Sequence, residues 1–404
     1  MMIRLLALLV LANLCGACSA GTSVLFDDPP SLCLTVLDVG QGDALLLSFP
    51  HDRHWLVDGG GSIGGELAVG NKRLLPALRR LGVVHLDKVF MTHAHADHFE
   101  GLFAVFESLE VDEFWLPSRF NTKPRIRALV GRALRKGVRV LEAGRGGLPE
   151  SRVGPVRTQL LYPFPGWKKG LVNSHSETND SSIVLRLALG DVSFLLTGDI
   201  EAAAERVLVG RGLIERSTVL KIPHHASKSS STPAFVNAVD PLLAVAGIGR
   251  NNRFGFPHAS VSRRYLSRGT PVFWTARHGT IRLCTDGFSL SLEQLHEQGS
   301  PTLHRFWDSS SIAGWQDKAN RSLASSFGDK SGDCTAAAGE RSVRQTYKRK
   351  TRRRPSSPIS ATKGKGARKK EAGHRPKEHS GGSLDEGEWQ RSRSQRKRLR
   401  APWK

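Results

Sequence analysis

The segment FMTHAHADHFEG, residues 90–101, places three histidines and an aspartate within six positions, His93, His95, Asp97 and His98. Imidazole nitrogens and carboxylate oxygens are the donor set of zinc, manganese and iron sites. One histidine alone is ordinarily a satisfied surface or core residue. Four such groups spaced His-x-His-x-Asp-His directly after an apolar run instead mark a metal centre. His93 and His95 can point toward one spot while Asp97 and His98 reach a second beside it. Two adjoining divalent cations activate water near neutral pH and clamp the attacking and leaving oxygens of a displacement.

A turn of this kind needs a rigid support. CLTVLDVG, DALLLSF, HWLVDGG and KVFMTH, between residues 33 and 93, are short apolar runs bounded by Gly, Asp and Asn, the pattern of strands. They read as a meander that closes at the histidine-rich turn. In NKRLLPALRRLG, Leu74, Leu75, Leu78 and Leu81 line one side of a helix and Lys72, Arg73, Arg79 and Arg80 the other. A second strand set follows: RVLEAG, TQLLYPF, SSIVLRLAL, VSFLLTGD, STVLKIPHH, PLLAVAGIG, PVFWTARHG and TIRLCTDG. Helices are predicted at 201–209 and 233–239. Two strand-rich halves with outer helices predict an α+β fold of two facing sheets sandwiched by helices. No repeat of solenoid period occurs.

The ends differ from the middle. Residues 341–404 hold 22 Lys and Arg against 5 Asp and Glu, so they carry +17 of the net charge of +22. Such a run has too little apolar surface to offset its chain entropy, and 296–404 is read as a largely disordered, low-complexity basic tail. A polycation of this kind attracts nucleic acid or anionic lipid through counterion release. A merely solvated tail is the plain alternative.

Residues 1–21 combine one cation, Arg4, an apolar stretch and a small-residue segment, the layout of a signal peptide or membrane anchor. Cleavage after Ala20 or lipid attachment at Cys18 fits this layout, and either outcome places the bulk of the chain outside the cytoplasm. Removal of the leader leaves Cys33, Cys284 and Cys334. Three cysteines permit at most one intrachain bridge, with Cys33–Cys284 one possibility.

The histidine motif, preceded by LVDGG and followed by LLTGDI, resembles the metallo-β-lactamase superfamily of binuclear metallohydrolases. LDVGQGDALLLSFP, THAHADH, NDSSIVLRL, FLLTGD, VLKIPHHASKSSST and FPHASVSRRYLSRGTPVFWT fall in the order seen in the hydrolase domain of ComEC competence proteins. The resemblance spans about 34–283 and implies a four-layer αβ/βα sandwich over 32–295. It implies that His93 and His95 hold one metal, that Asp97 and His98 hold another, and that Asp199 bridges them. His225 completes the second site. His224 is a ligand or a proton donor to the leaving oxygen, which makes Asp97 and His224 the catalytic pair. Asp58 matches the acid that orients a metal-bound imidazole, and His258 is a rival for the final ligand.

Three departures from the family pattern stand out. Asn179 lies near the place where many members have a histidine, which predicts a weakened first site. Glu100 and Ala226 stand where glycine is usual.

The implied activity is metal-dependent hydrolysis with two divalent ions, zinc or manganese, and no organic cofactor. The expected reaction is phosphodiester cleavage of DNA outside the cytoplasm, single-stranded DNA favoured, linked to DNA uptake in competence. Ser227, Lys228, Ser229 and Asn179 are candidate substrate-binding groups, because hydroxyls and an ammonium donate to nonbridging phosphate oxygens. A Ser-rich turn without such a role is the alternative for that stretch. Two other functions remain open at the level of sequence. One is hydrolysis of a small ester, thioester or lactam on the same fold. The other is a non-enzymatic nucleic-acid-binding protein acting through its tail.

Overall fold

The structure, a computed structural model, describes residues 31–61, 69–117, 123–144, 150–164, 177–296 and 300–327, without the side chains of 319–327. The leader at 1–21 and the basic run at 341–404 lie outside the described residues.

Six strands open the chain: β1 (Leu32–Val36), β2 (Leu45–Phe49), β3 (Arg53–Val57), β4 (His85–Phe90), β5 (Glu110–Pro117) and β6 (Arg139–Ala143). Seven more follow: β7 (Glu150–Val153), β8 (Val156–Tyr162), β9 (Val184–Leu189), β10 (Val192–Leu196), β11 (Val219–Lys221), β12 (Leu243–Ala246) and β13 (Val272–Trp274). The last three are β14 (Thr280–Thr285), β15 (Leu290–Leu295) and β16 (Thr302–Trp307). One sheet has the order β16-β15-β14-β1-β2-β3-β4-β5-β6, the other β13-β12-β11-β10-β9-β8-β7.

Strand alternation explains the layers. Leu32, Leu34 and Val36 of β1, Leu45, Leu47 and Phe49 of β2, and Val192, Phe194 and Leu196 of β10 all enter one core between the sheets. Their alternate neighbours point outward. Leu46 and Leu56 meet the helices α1 (Leu75–Arg80), α3 (Leu102–Ser108) and α4 (Pro124–Arg135) beyond the short α2 (Ala96–Phe99). On the second sheet, Leu195, Leu220 and Ala244 meet α5 (Ala202–Gly210), α6 (Pro233–Val239) and α7 (Ala259–Leu266). This is the four-layer sandwich expected from the sequence.

Three features depart from the sequence reading. The antiparallel meander covers only β1 to β3, since β4 runs parallel to β3 after a crossover through α1. The stretch from α3 through β5 to α4 has no counterpart in that reading, and neither does α7. The domain also runs past residue 295. There β16 pairs with β15, and α9 (Ser309–Phe327), after the short α8 (Thr275–His278), buries Ile312 while the Trp315 indole donates to the Asp240 carbonyl. The segment read as the start of the tail therefore builds a sheet edge.

Cys33 and Cys284 face each other across β1 and β14 and are joined, closing a loop of 251 residues. Digestion under non-reducing conditions should yield this linked peptide pair, and Cys284→Ser should cost about 2–4 kcal/mol of stability in urea titrations.

Glu205 of α5 is buried and accepts hydrogen bonds from the Ser231 and Thr232 amides (2.5 and 2.7 Å) at the start of α6. Burial pushes its carboxyl up to about 7, against the pull of those amides. The folded protein thus keeps a proton that the unfolded chain gives up near the ordinary carboxylate value. This contribution to stability is full in acid and is lost as pH rises toward 7, by on the order of 3 kcal/mol. Wild-type stability measured relative to Glu205→Gln should therefore decline from pH 4.5 to 7.5, and a constant difference would refute the assignment.

Candidate metal centre

Strand ends from both sheets converge on one place. β4 delivers His93 and His95 in the loop after Thr92, and α2 carries Asp97 and His98. Asp58 follows β3, the parallel neighbour of β4, and its amide donates to the Phe90 carbonyl (2.8 Å). From the other sheet, Asp199 follows β10, and His224 and His225 follow the parallel strand β11 through Pro223. His224, His225 and Ala226 have φ of 47°, 50° and 63°, three successive left-handed residues without a glycine. Each costs on the order of 1 kcal/mol, a strain the packed surroundings must hold in place.

Gly42 lets the 38–43 turn close onto this cluster. Its φ is +120°, and a Cβ there would lie 2.0 Å from the Asp97 carbonyl oxygen. The Asp43 amide donates to that carbonyl (3.3 Å), which brings the Asp43 carboxylate in beside His225.

Asp199 Oδ2 is the hub. It lies 3.1 Å from His98 Nε2, 3.3 Å from His225 Nε2, and 3.9 Å from both His93 Nε2 and His224 Nε2. His98 Nε2 and His225 Nε2 are 3.2 Å apart, and Asp97 Oδ2 is 3.7 Å from His225 Nε2. His93 Nε2 lies 3.1 Å from His95 Nδ1. One atom from each of Asp43, His98, Asp199 and His225 falls within 4.8 Å of the others, and all four residues are buried.

The rings are aimed by their far nitrogens. His98 Nδ1 is 2.7 Å from Asp58 Oδ2, and Asp58 also accepts from the Thr92 amide and hydroxyl (2.7 Å each). His225 Nδ1 is held by the Gly247 carbonyl (2.7 Å). Both arrangements leave Nε2 facing Asp199 as an available donor.

The charges fit a cation. Asp43, Asp58 and Asp199 are buried carboxylates, and of the three the fully buried Lys221 pairs with Asp43 (2.5 Å). Burial alone would lower His98 and His225, but Asp199 with Asp58 holds the first well above its ordinary value. Asp199 with Asp43 raises the second to about 10. His93, by contrast, is driven well down by burial and the neighbouring imidazoles. Protons thus settle where positive charge is wanted, and Asp199 Oδ1 is buried without a hydrogen-bond partner among the described residues. Imidazoles, carboxylates and an unsatisfied oxygen together suit a divalent ion that exchanges for those protons.

Residues 37–249 match the model of the metallo-beta-lactamase superfamily. The chain belongs to this superfamily. Within it, the metallo-beta-lactamase domain is similar to ComE operon protein 3 of Bacillus subtilis, at 28% identity over 66% of this chain and 35% of that protein. It is similar to Competence protein ComA of Neisseria gonorrhoeae, at 29% over 62% of this chain and 32% of that protein. A third relative is Recombination protein 2 of Haemophilus influenzae, at 30% over 67% of this chain and 31% of that protein. The chain spans about a third of the length of these curated relatives.

The metallo-beta-lactamase domain treats the remaining candidates differently. Asn179 is buried, and its Nδ2 donates to Glu201 Oε1 (2.8 Å), which in turn lies 3.1 Å from His224 Nδ1. Ser229 Oγ approaches the same His224 nitrogen (3.4 Å) and bonds Ser227 Oγ (2.9 Å). Lys228 is exposed. His258 caps α7, accepting from the Ser260 amide, while its own amide donates to the Ala226 carbonyl, so it braces the histidine loop from behind. Glu100 is buried and neutralised by Arg125 rather than adding free charge.

The sequence reading omits Asp43, Lys221 and Glu201. Lys221 carried a signal, a lone lysine inside the apolar run VLKIP, because a fully buried lysine requires a paired acid.

Proposed function

We propose that this metallo-beta-lactamase domain is a metal-dependent phosphodiesterase that cuts DNA outside the cytoplasm, single-stranded DNA in preference, within a DNA-uptake process. The observation that carries the reading is the buried convergence of His98, His225 and Asp199, with one unsatisfied oxygen, in a chain whose relatives include a competence protein. In this proposal His93, His95, Asp97, His98, Asp199 and His225 hold two divalent ions, zinc or manganese. Such ions would lower the pKa of water into the neutral range and polarise a phosphate.

The chain's own groups do the rest. Glu201 holds the Nδ1–H of His224 and so turns Nε2 toward the site, and the ring, when it also carries a proton on Nε2, can give that proton to the leaving oxygen. Asp58 keeps His98 in one tautomer. Ser229 and Lys228, which follow His224 in the same loop, would donate to a nonbridging phosphate oxygen. The Cys33–Cys284 bridge supports the extracytoplasmic reading, because such bonds persist in oxidising compartments. Among the described residues no helix is long and apolar enough to cross a membrane.

The test offers labelled single-stranded DNA to the full chain with manganese or zinc, alongside metal analysis. Cleavage lost in His95→Ala is the expected result. Persistent cleavage in that variant, a chromogenic lactam hydrolysed far faster than DNA, or DNA binding without turnover under any metal would overturn the reading.

A further inference from the structure

A cleft of about 1250 Å³ opens beside Asp97, between the 38–41 turn, the helical stretch ending in α1, and the 249–254 loop. This exceeds what a single small ligand commonly fills, about 300–1,000 Å³. Its walls carry Lys72, Arg73, Arg80, Arg250, Arg253 and Arg282 against two acids, Asp38 and Asp97. Arg73 is paired with Asp38 (3.8 Å) and Arg282 with Glu293 (2.9 Å). Lys72, Arg80, Arg250 and Arg253 have no acidic partner among the described residues.

One wall also presents an aromatic ladder. Phe254 is 42% exposed, and its ring stacks on Phe256 (5.4 Å between centroids, 18° between planes). Phe256 in turn lies 5.7 Å from the His224 ring and 6.2 Å from the His225 ring. The loop that carries both is pre-shaped: Asn252 donates to the Gly249 and Phe256 carbonyls (3.1 and 2.8 Å) and accepts from the Phe256 amide (2.9 Å). Gly249 is tied to the opposite wall through Gln41 (3.2 Å). A large apolar ring held toward water by such a brace, with the Arg253 guanidinium over it (5.3 Å) and further cations without acidic partners in the same cleft, suits a flat and anionic ligand.

We propose that this cleft is the track for a single nucleic-acid strand, with a base stacked on Phe254 and the backbone phosphates met by Lys72, Arg80, Arg250 and Arg253. The inference rests on the phosphodiesterase reading and gives it a substrate path that ends at Asp97 and His224. Stacking requires an unpaired base, so the track selects single strands over duplex, whereas the cations serve both.

The test uses the full chain freed of metal by chelation, so that nothing is cut. A short single-stranded oligodeoxynucleotide carrying 5-iodouracil is cross-linked by ultraviolet light, and the adduct is mapped by mass spectrometry. The expected adduct is at Phe254. By fluorescence anisotropy, Phe254→Ala should weaken single-strand binding about tenfold and duplex binding far less, while Phe254→Trp restores the preference. Arg80→Ala and Arg250→Ala should weaken both and each lower the slope of log K against log salt by about one. Adducts confined to residues 341–404, or an unchanged single-strand preference in Phe254→Ala, would overturn the track. Adducts at Phe254 in a protein that cuts no DNA with any divalent metal would keep the track and remove the phosphodiesterase reading.

Discussion

Asp199→Ala should abolish metal uptake and, for the proposed DNA hydrolysis, reduce kcat/KM by about a thousandfold or more, roughly 4 kcal/mol of lost transition-state stabilisation. The expectation follows from position: one oxygen of this side chain lies within 4 Å of His93, His98, His224 and His225, and the other is buried without a partner. Asp58 is committed to His98 and Thr92 and Asp43 to Lys221, and Asp97 comes within 3.7 Å of His225 Nε2 without reaching the other rings that Asp199 joins.

The same carboxylate helps to keep His98 and His225 charged, so metal and protons compete for the centre. Acid favours the protons, and apparent metal affinity should rise with pH across the neutral range. In metal-free Asp199→Ala, the His98 and His225 resonances should titrate at lower pH than in the wild type. Unchanged titration by NMR, together with retained metal, would remove Asp199 from the hub.

Lys221→Met is the second large effect, and it falls on stability. Lys221 is fully buried, and its ammonium meets Asp43 (2.5 Å) and the Ile222 carbonyl (3.0 Å). Burial would raise the Asp43 carboxyl, but Lys221 and then His225 hold it below the usual carboxylate range. Removing the lysine leaves a buried charge with only an imidazole to answer it, which costs about 3–5 kcal/mol. Asp43→Asn combined with Lys221→Met should recover most of that loss, because the expense lies in the unpaired charge. Urea midpoints of the two single variants and the double variant give the coupling directly. Additive losses would mean that the pair does not act as a unit.

The residues that announce themselves in the sequence are those whose partners lie close along the chain. His93, His95, Asp97 and His98 share one turn, and Asp58 and Asp199 each end an apolar strand, where alternation gives way to glycine. Asp43 and Glu201 are silent for the opposite reason, and Lys221 shows itself only as a lone charge in an apolar run, with no sign of its partner. Their partners are 178 residues away for Asp43 and 23 for Glu201, and a charged residue within or beside a strand reads as solvent-facing until the second sheet is laid over it.

β5 was masked by Glu110, Asp112 and Glu113 in its first half, although Phe114, Trp115 and Leu116 are buried in its second. The strand at the start of the basic C-terminal region is hidden for a similar reason. β16 is mostly exposed, so it lacks the apolar alternation of a strand covered on one face, and only pairing with β15 makes it one.

The place of β1 in its sheet has a consequence for how the chain is made. Of the described strands β1 is the first to be synthesised, yet it lies between β2 and β14, and β14 begins almost 250 residues later. Until then the backbone of Leu32–Val36 offers an open row of donors and acceptors beside an apolar face. Nascent or prematurely terminated chains should therefore be sticky and depend on a holding chaperone, with folding completed only once the whole domain has been synthesised.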